Sequence, residues 1–123
     1  MTTRNQIGAA GEEVAARYVS QLGWEVVDRN WRSGRLGELD LVALAVDDEH
    51  TTVVFCEVKT RTGLGYGTPV EAVTRAKFLR LRRLAVAWLR DHPVSADRVR
   101  IDVIGVLLSA SDEPQISHVE AAL

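Results

Sequence analysis

Two charged side chains on a predicted β-strand are the first residues that could do chemistry. Residues 53–59 are mostly apolar but include Glu57 and Lys59. Because side chains on a strand alternate between faces, these two share a face and lie ~6–7 Å apart. Charges at the end of an otherwise buried strand are costly unless they are paired or bind a cation. The alternative is that the strand simply emerges into water at this point.

The preceding predicted strand carries two further carboxylates. Glu38 and Asp40 are expected to share one face of that strand. The apolar residues around them are expected to fill the other face: Leu39, Leu41 and Ala43. If an acidic hairpin at 47–50 pairs the two strands, Asp40 lies near Glu57. Two carboxylates ~5 Å apart repel by roughly 3 kcal/mol at an effective dielectric constant of ~20, which raises one pKa or requires a counter-ion. A hard dication such as Mg²⁺ meets that need with oxygen ligands.

A predicted first helix supplies another carboxylate. Apolar and small residues recur at three- and four-residue spacing through residues 5–22. Glu12 projects beside this stripe, between the small residues Gly8 and Ala15, whereas Glu13 projects toward solvent. Small neighbours would let a ligand or another backbone come close to Glu12. An ordinary exposed helix carboxylate is the alternative interpretation.

The remaining elements follow from hydrophobic periodicity and turn residues. They are predicted as strands at 24–29, 36–46 and 51–60, a helix at 74–90, a strand at 99–108 and a weaker strand at 115–120. A glycine-rich loop at 63–67 and a capping box at 68–71 are predicted before the second helix. Short connections make the first three strands an antiparallel meander, and the helical crossover makes the third and fourth strands parallel. The sequence therefore predicts a single α/β domain of order αβββαβ, with a mixed central sheet flanked by helices.

Composition limits the class of protein. The chain has 123 residues, of which 46% are hydrophobic and 26% are charged. These values fit one globular domain and exclude a disordered chain or a coiled coil. Because no apolar run reaches ~20 residues and residues 1–13 lack a signal-peptide core, we expect a cytoplasmic protein without a membrane partner. The single cysteine, Cys56, excludes an intramolecular disulfide framework and a cysteine-based zinc site.

The net charge of −2 hides an uneven distribution of charge. Residues 57–100 carry ten Lys or Arg and four Asp or Glu, a local charge of +6. A nearly neutral protein can therefore contain a basic half that attracts phosphate groups. A solvated basic helix face is the alternative explanation of the same residues.

The ordered set of these motifs resembles the YraN family of predicted endonucleases. The resemblance rests on Glu12, on Gly-Glu-Leu-Asp-Leu-Val at 37–42 and on Val-Phe-Cys-Glu-Val-Lys-Thr-Arg at 54–61. The match runs over about residues 5–105. That family belongs to the restriction-endonuclease-like PD-(D/E)XK superfamily and is similar to archaeal Holliday-junction resolvases. The resemblance implies that fold and a divalent-metal-dependent endonuclease that hydrolyses phosphodiester bonds in DNA, with branched and nicked DNA among the candidate substrates.

The resemblance also implies roles for individual residues. Asp40 and Glu57 would be the principal ligands of Mg²⁺ or Mn²⁺, with the Val58 carbonyl and water completing the shell and Glu12 assisting. Lys59 would orient or deprotonate the attacking water and offset charge in the transition state. Cations would contact the nucleic-acid backbone without reading its sequence: Arg61, Arg75, Lys77, Arg82 and Arg83. Analogy with resolvases implies a homodimer, and the open alternative is a non-catalytic nucleic-acid- or protein-binding module with the same fold.

Several other conspicuous residues are expected to be structural. Cys56 points away from the acidic face, and Asp102 is a candidate partner for an arginine. The histidines have no metal-ligand spacing, and the tryptophans are best explained by packing. These residues are His50, His92, His118, Trp24, Trp31 and Trp88.

Overall fold

A computed structural model gives the structure of the protein and describes residues 3–63, 73–109 and 113–121. Its elements in chain order are α1 (Arg4–Gln21), β1 (Glu25–Ser33), β2 (Gly37–Val46), β3 (Thr51–Arg61), α2 (Arg75–Asp91), β4 (Arg98–Leu107) and β5 (Gln115–Val119). This order confirms the predicted α/β fold class and is compatible with a restriction-endonuclease-like domain. The predicted capping box at 68–71 and the loop glycines Gly65 and Gly67 lie outside the described residues.

The five strands form one mixed sheet in the order β1-β2-β3-β4-β5. The first three strands pair as an antiparallel meander, β3 pairs with β4 in parallel, and β5 returns antiparallel to β4. The parallel pair is the one that the α2 crossover joins, because a parallel connection must carry the chain back along the sheet. The predicted strand directions are therefore confirmed.

Capping side chains fix where the two helices begin. The Thr3 hydroxyl accepts a hydrogen bond from the Gln6 N–H, and the Gln6 side chain accepts one from the Thr3 N–H. At α2, the Thr74 hydroxyl accepts from the Lys77 N–H. These bonds satisfy donors that have no partner inside the helix. After α1 the chain turns at Gly23, whose φ of 89° favours glycine. Among the described residues, no helix is long and apolar enough to cross a membrane.

One helix covers each face of the sheet, and each buries its own apolar cluster. The cluster under α1 contains Ala15, Ala16, Val19, Leu41, Val54, Cys56, Val58, Ile104 and Val106. The cluster under α2 contains Leu39, Val42, Val53, Phe55, Val73, Leu81, Leu84, Ala85, Trp88 and Val103. The central strands are apolar on both sides for this reason. Trp88 is buried against Phe55, with ring centroids 5.7 Å apart, which confirms its packing role.

The regular alternation of β2 breaks at Asp40. The prediction that Leu39 and Leu41 share a face is wrong, because Leu39 packs under α2 and Leu41 packs under α1. The pairing of β2 with β3 ends at Leu41, and beyond it the Asp40 Oδ2 accepts the Val58 N–H at 2.8 Å. Across the other edge of β2, Asn30 of β1 has a φ of 52°. Asparagine tolerates this left-handed conformation better than most residues, and the sheet is locally irregular there.

Candidate metal centre

Close packing of α1 on β3 brings the first carboxylate to the sheet. Gly11 faces Thr60, and a Cβ at Gly11 would overlap the Thr60 side chain. The absence of a side chain therefore lets the helix backbone approach the strand. Glu12, the next residue, consequently reaches the end of β2, where it meets Asp40. Gly11 belongs to the stripe of small and apolar residues that the sequence predicts for this helix.

Three carboxylates from two elements converge at the irregular point of β2. Oxygen atoms of Glu12, Glu38 and Asp40 all lie within 4.8 Å of one another, and the three side chains are half-buried. Asn30, with its amide nitrogen turned toward the acids, donates to Glu38 Oε1 at 3.0 Å and to Glu12 Oε2 at 2.7 Å. Arg32 donates to Glu38 Oε2 at 3.0 Å. The left-handed turn at Asn30 thus places a donor between two of the acids.

Asp40 also meets Glu57 on the neighbouring strand. Burial raises the pKa of Asp40 to about 8, and the charge of Glu57 and a carboxyl–carboxyl hydrogen bond with it act in the same direction. The Val58 N–H donates to Asp40 and opposes this shift only in part. Two close acids cannot both ionise freely in a poorly solvated place. The sequence-based expectation that Asp40 lies near Glu57 therefore agrees with the geometry.

Glu12 experiences the same excess of negative charge. Partial burial raises its pKa, and the charges of Asp40 and Glu38 raise it further. Arg29 and the Asn30 amide act in the opposite direction without cancelling the shift. A site that raises the pKa of its own acids has a negative potential that a cation would relieve.

Lys59 and Glu57 line a pocket on the α2 side of the sheet. The Lys59 Nζ lies 3.7 Å from Glu57 Oε1, and their side chains are 25% and 18% exposed. The pocket has a volume of 160 Å³. Its other lining residues come from β2 and α2: Gly37, Glu38, Lys77, Arg80, Leu81 and Leu84. Acidic and basic side chains therefore meet at one opening.

The chemistry of these donors fits a small divalent cation. Carboxylate oxygens are hard ligands, and Mg²⁺ is typically held by one or two carboxylates with water in the remaining positions. Glu12, Glu38, Asp40 and Glu57 supply such oxygens on three adjoining elements. The Val58 N–H is used by Asp40, and the suggested ligation by the Val58 carbonyl stays a prediction.

The five cations predicted to contact nucleic acid fall in different places. Lys77 lines the same pocket as Lys59. Arg61, at the end of β3, lines a separate depression with Arg4. Arg75 is exposed at the first turn of α2. The remaining two are not brought to the acidic residues, because they line a depression elsewhere on α2: Arg82 and Arg83.

Sequence reasoning missed three residues of this site. Glu38 shares a face with Asp40 by simple spacing, but no role was assigned to it. Arg80 follows Lys77 by three residues on a helix, which would have placed both at one opening. The strand predicted at 24–29 stops short of Asn30, and nothing in the local pattern indicates that Asn30 contacts two carboxylates.

A second polar cluster lies around Asp102 on the α1 side of the sheet. Asp102 is fully buried and accepts two hydrogen bonds from Arg100, at 2.8 and 3.0 Å. It also accepts from His118 Nε2 at 2.7 Å, and His118 Nδ1 lies 2.8 Å from the Tyr18 hydroxyl. The expected pairing of Asp102 with an arginine is confirmed. Cys56 is buried nearby, and burial raises the pKa of its thiol, as expected for a core residue.

Comparison with known proteins places the chain in a family. A family model described as "Uncharacterised protein family UPF0102" matches residues 11–106. A UPF0102 protein of Rhodococcus opacus (strain B4) is 53% identical over 116 residues, which cover 94% of each chain. A UPF0102 protein of Mycobacterium avium (strain 104) is 49% identical over 118 residues, which cover 96% of this chain and 90% of the relative. The chain therefore belongs to the UPF0102 family, which is the YraN family that its motifs resemble.

Proposed function

We propose that this protein is a divalent-metal-dependent endonuclease that hydrolyses phosphodiester bonds in DNA. The observation that carries the proposal is the meeting of Asp40 and Glu57 on adjacent strands, with Lys59 beside them. Glu12 joins this group from α1. Phosphodiester hydrolysis needs an activated water and neutralisation of the charge on the phosphate. The resemblance of the motif set to endonucleases supports DNA as the substrate.

The acidic residues would hold the ion. Asp40 and Glu57 are the proposed principal ligands of Mg²⁺ or Mn²⁺, and Glu12 and Glu38 lie close enough to contribute directly or through water. The bound ion would lower the pKa of a coordinated water and offset phosphate charge. The close carboxylates give the site its negative potential, which supports cation binding over a role as isolated surface acids.

Basic residues that line the pocket would hold the substrate. Lys59 would orient the attacking water and stabilise charge that develops on the phosphate oxygens. Lys77 and Arg80 line the same opening and would contact phosphates that flank the scissile bond. The half-buried Arg61 and the exposed Arg75 would extend this contact along the backbone. None of these contacts distinguishes one base from another, so recognition of DNA shape is the expected mode.

The direct test is a cleavage screen over linear, nicked, flapped and four-way DNA and over RNA, with Mg²⁺, Mn²⁺ or EDTA. We expect metal-dependent cleavage by the wild type and its loss in Glu57→Ala and Lys59→Ala. Glu49→Ala, which removes an exposed carboxylate in the β2–β3 hairpin, is the matched control and should cleave normally. Retained DNA binding without cleavage of any substrate would instead favour the non-catalytic module.

A homodimer is part of the same proposal, because two cuts in a symmetric junction need two sites. Sedimentation of the protein with and without four-way DNA measures the stoichiometry. Two protomers on each junction support paired cutting, whereas one protomer on each junction removes this part of the proposal.

A further inference from the structure

The side of α2 that faces away from the sheet combines apolar and basic residues. Leu79 and Val86 are 39% and 63% exposed. At 100° per residue, they and four arginines fall within about 100° of arc, opposite the buried stripe. We call this surface the outer face of α2, and it consists of Arg75, Leu79, Arg82, Arg83, Val86 and Arg90. Leu79 and Val86 therefore lie outside the two apolar clusters under the helices.

A shallow depression lies at the centre of the outer face. Its volume is 330 Å³, and the described residues that line it are Leu79, Arg82, Arg83 and Val86. It is separate from the pocket at the acidic site, whose α2 residues lie on another side of the helix: Lys77, Arg80, Leu81 and Leu84. Two apolar walls and two guanidinium groups therefore form a feature that the proposed cleavage does not require.

The arginines of the outer face have few acidic neighbours among the described residues. In the described parts of the chain, no carboxylate forms an ion pair with Arg75, Arg82 or Arg83, and Arg90 lies 3.7 Å from the adjacent Asp91. Asp91, the last residue of α2, is its only acidic residue. The positive charge of this face therefore favours binding of an external anion. Guanidinium groups bind carboxylates or phosphates through paired hydrogen bonds.

We propose that the outer face of α2 docks a short acidic peptide segment of a partner protein. One apolar side chain of that segment enters the depression between Leu79 and Val86, and carboxylates on either side of it pair with Arg82 and Arg83. An apolar anchor surrounded by charged pairs is a common arrangement at protein–protein contacts. This proposal is independent of the cleavage function, because the residues that line the depression belong neither to the acidic site nor to the pocket beside it.

The apolar centre favours a peptide over the other anionic partners. A nucleic-acid backbone would satisfy the arginines but would leave Leu79 and Val86 against charged phosphates, where they gain nothing. A helix that binds a lipid surface typically has a long apolar stripe. This face exposes two large apolar residues on a 17-residue helix. A peptide that alternates acidic and apolar residues satisfies both parts of the face.

The probe is a fluorescein-labelled peptide of sequence Asp-Asp-Leu-Asp-Asp-Leu-Asp-Asp, titrated by anisotropy in EDTA. Either leucine can supply the single apolar anchor for the depression, and each has aspartates on both sides to pair with Arg82 and Arg83. We expect saturable binding that weakens at least tenfold in Arg82→Gln/Arg83→Gln and in Leu79→Ser/Val86→Ser. Arg17→Gln, which changes an exposed arginine of α1, is the matched control and should bind as the wild type does.

A peptide without leucine, two other anionic probes and a folding check serve as controls. Replacing the peptide leucines by serine should weaken binding at least tenfold, and thermal melting verifies that every variant is folded. The proposal is overturned if the peptide does not bind at millimolar concentration, or if binding ignores the leucines. It is also overturned if the same variants instead lose binding to a 20-base-pair duplex, lose binding to anionic vesicles or lose self-association in sedimentation.

Discussion

The burial of Asp40 beside Glu57 predicts that a single substitution stabilises the protein when divalent ions are absent. The pKa of Asp40 rises from its ordinary value of 3.8 to about 8, and at 1.36 kcal/mol per pKa unit this corresponds to roughly 5–6 kcal/mol. Two unit charges ~4 Å apart at an effective dielectric constant of 20 give about 4 kcal/mol. We therefore expect Asp40→Asn to be more stable than the wild type by about 4 kcal/mol at pH 9.

The sign of the pH dependence follows from which state binds the proton more tightly. The folded protein holds the Asp40 proton up to about pH 8, whereas the unfolded chain releases it near pH 3.8. The wild type therefore keeps this contribution to stability below about pH 4 and loses it as the pH rises toward 8. Because the asparagine side chain of the variant does not titrate, the advantage of Asp40→Asn should be small at pH 4 and should grow across this range.

Urea denaturation in EDTA, measured from pH 4 to pH 9 for both proteins, gives the difference in unfolding free energy directly. Asp48→Asn, which changes an exposed carboxylate in the β2–β3 hairpin, should follow the wild type. Added Mg²⁺ should stabilise the wild type at pH 8 and leave Asp40→Asn nearly unchanged. A pH-independent difference, or an Asp40→Asn protein that is less stable than the wild type at pH 9, would refute the reasoning.

Three further predictions concern other parts of the structure. Asp102→Asn removes the buried carboxylate that accepts two hydrogen bonds from the half-buried Arg100, leaving it the exposed Glu120 at 3.6 Å, and should lower the unfolding free energy by about 3–5 kcal/mol in urea; a loss below about 1 kcal/mol contradicts the buried pair. Gly11→Ala forces α1 away from β3 and should cost about 1–3 kcal/mol, part of which Gly11→Ala/Thr60→Ala should recover; a neutral Gly11→Ala rejects the close contact. Lys59→Met should reduce the cleavage rate about 100-fold or more while Mg²⁺ binding, measured by calorimetry, is retained; loss of the metal instead would show that Lys59 supports the fold of the site.

Periodicity and capping were sufficient to predict most of the fold. The helix α2 begins at Arg75, one residue after the predicted start at 74, and the strand directions follow from the lengths of the connections. The prediction for β1 was too short, because Asn30 and Ser33 suggest a turn. β1 lies at the edge of the sheet, where polar side chains can face solvent and local signals for a strand are weak.

The candidate site shows where reasoning from the sequence stops. Glu57 and Asp40 could be paired on paper because a hairpin joins their strands. The face of Leu39 could not be predicted, because the alternation of β2 breaks where Asn30 takes a left-handed conformation. At that break, the Asn30 amide and the Val58 N–H donate hydrogen bonds to acidic side chains of other elements. The two-residue periodicity of a strand does not take such bonds into account.

The α2 crossover divides the candidate site between two stretches of the chain. All four of its carboxylates belong to α1, β2 and β3, which precede the crossover, whereas Lys77 and Arg80 arrive with α2 itself. A chain emerging from the ribosome could therefore bring the four carboxylates together on α1, β2 and β3 before α2 closes the pocket. Such an intermediate would lack two of the groups proposed to grip a phosphate. The proposed hydrolysis would then begin only after α2 has been synthesised and covers the second face of the sheet.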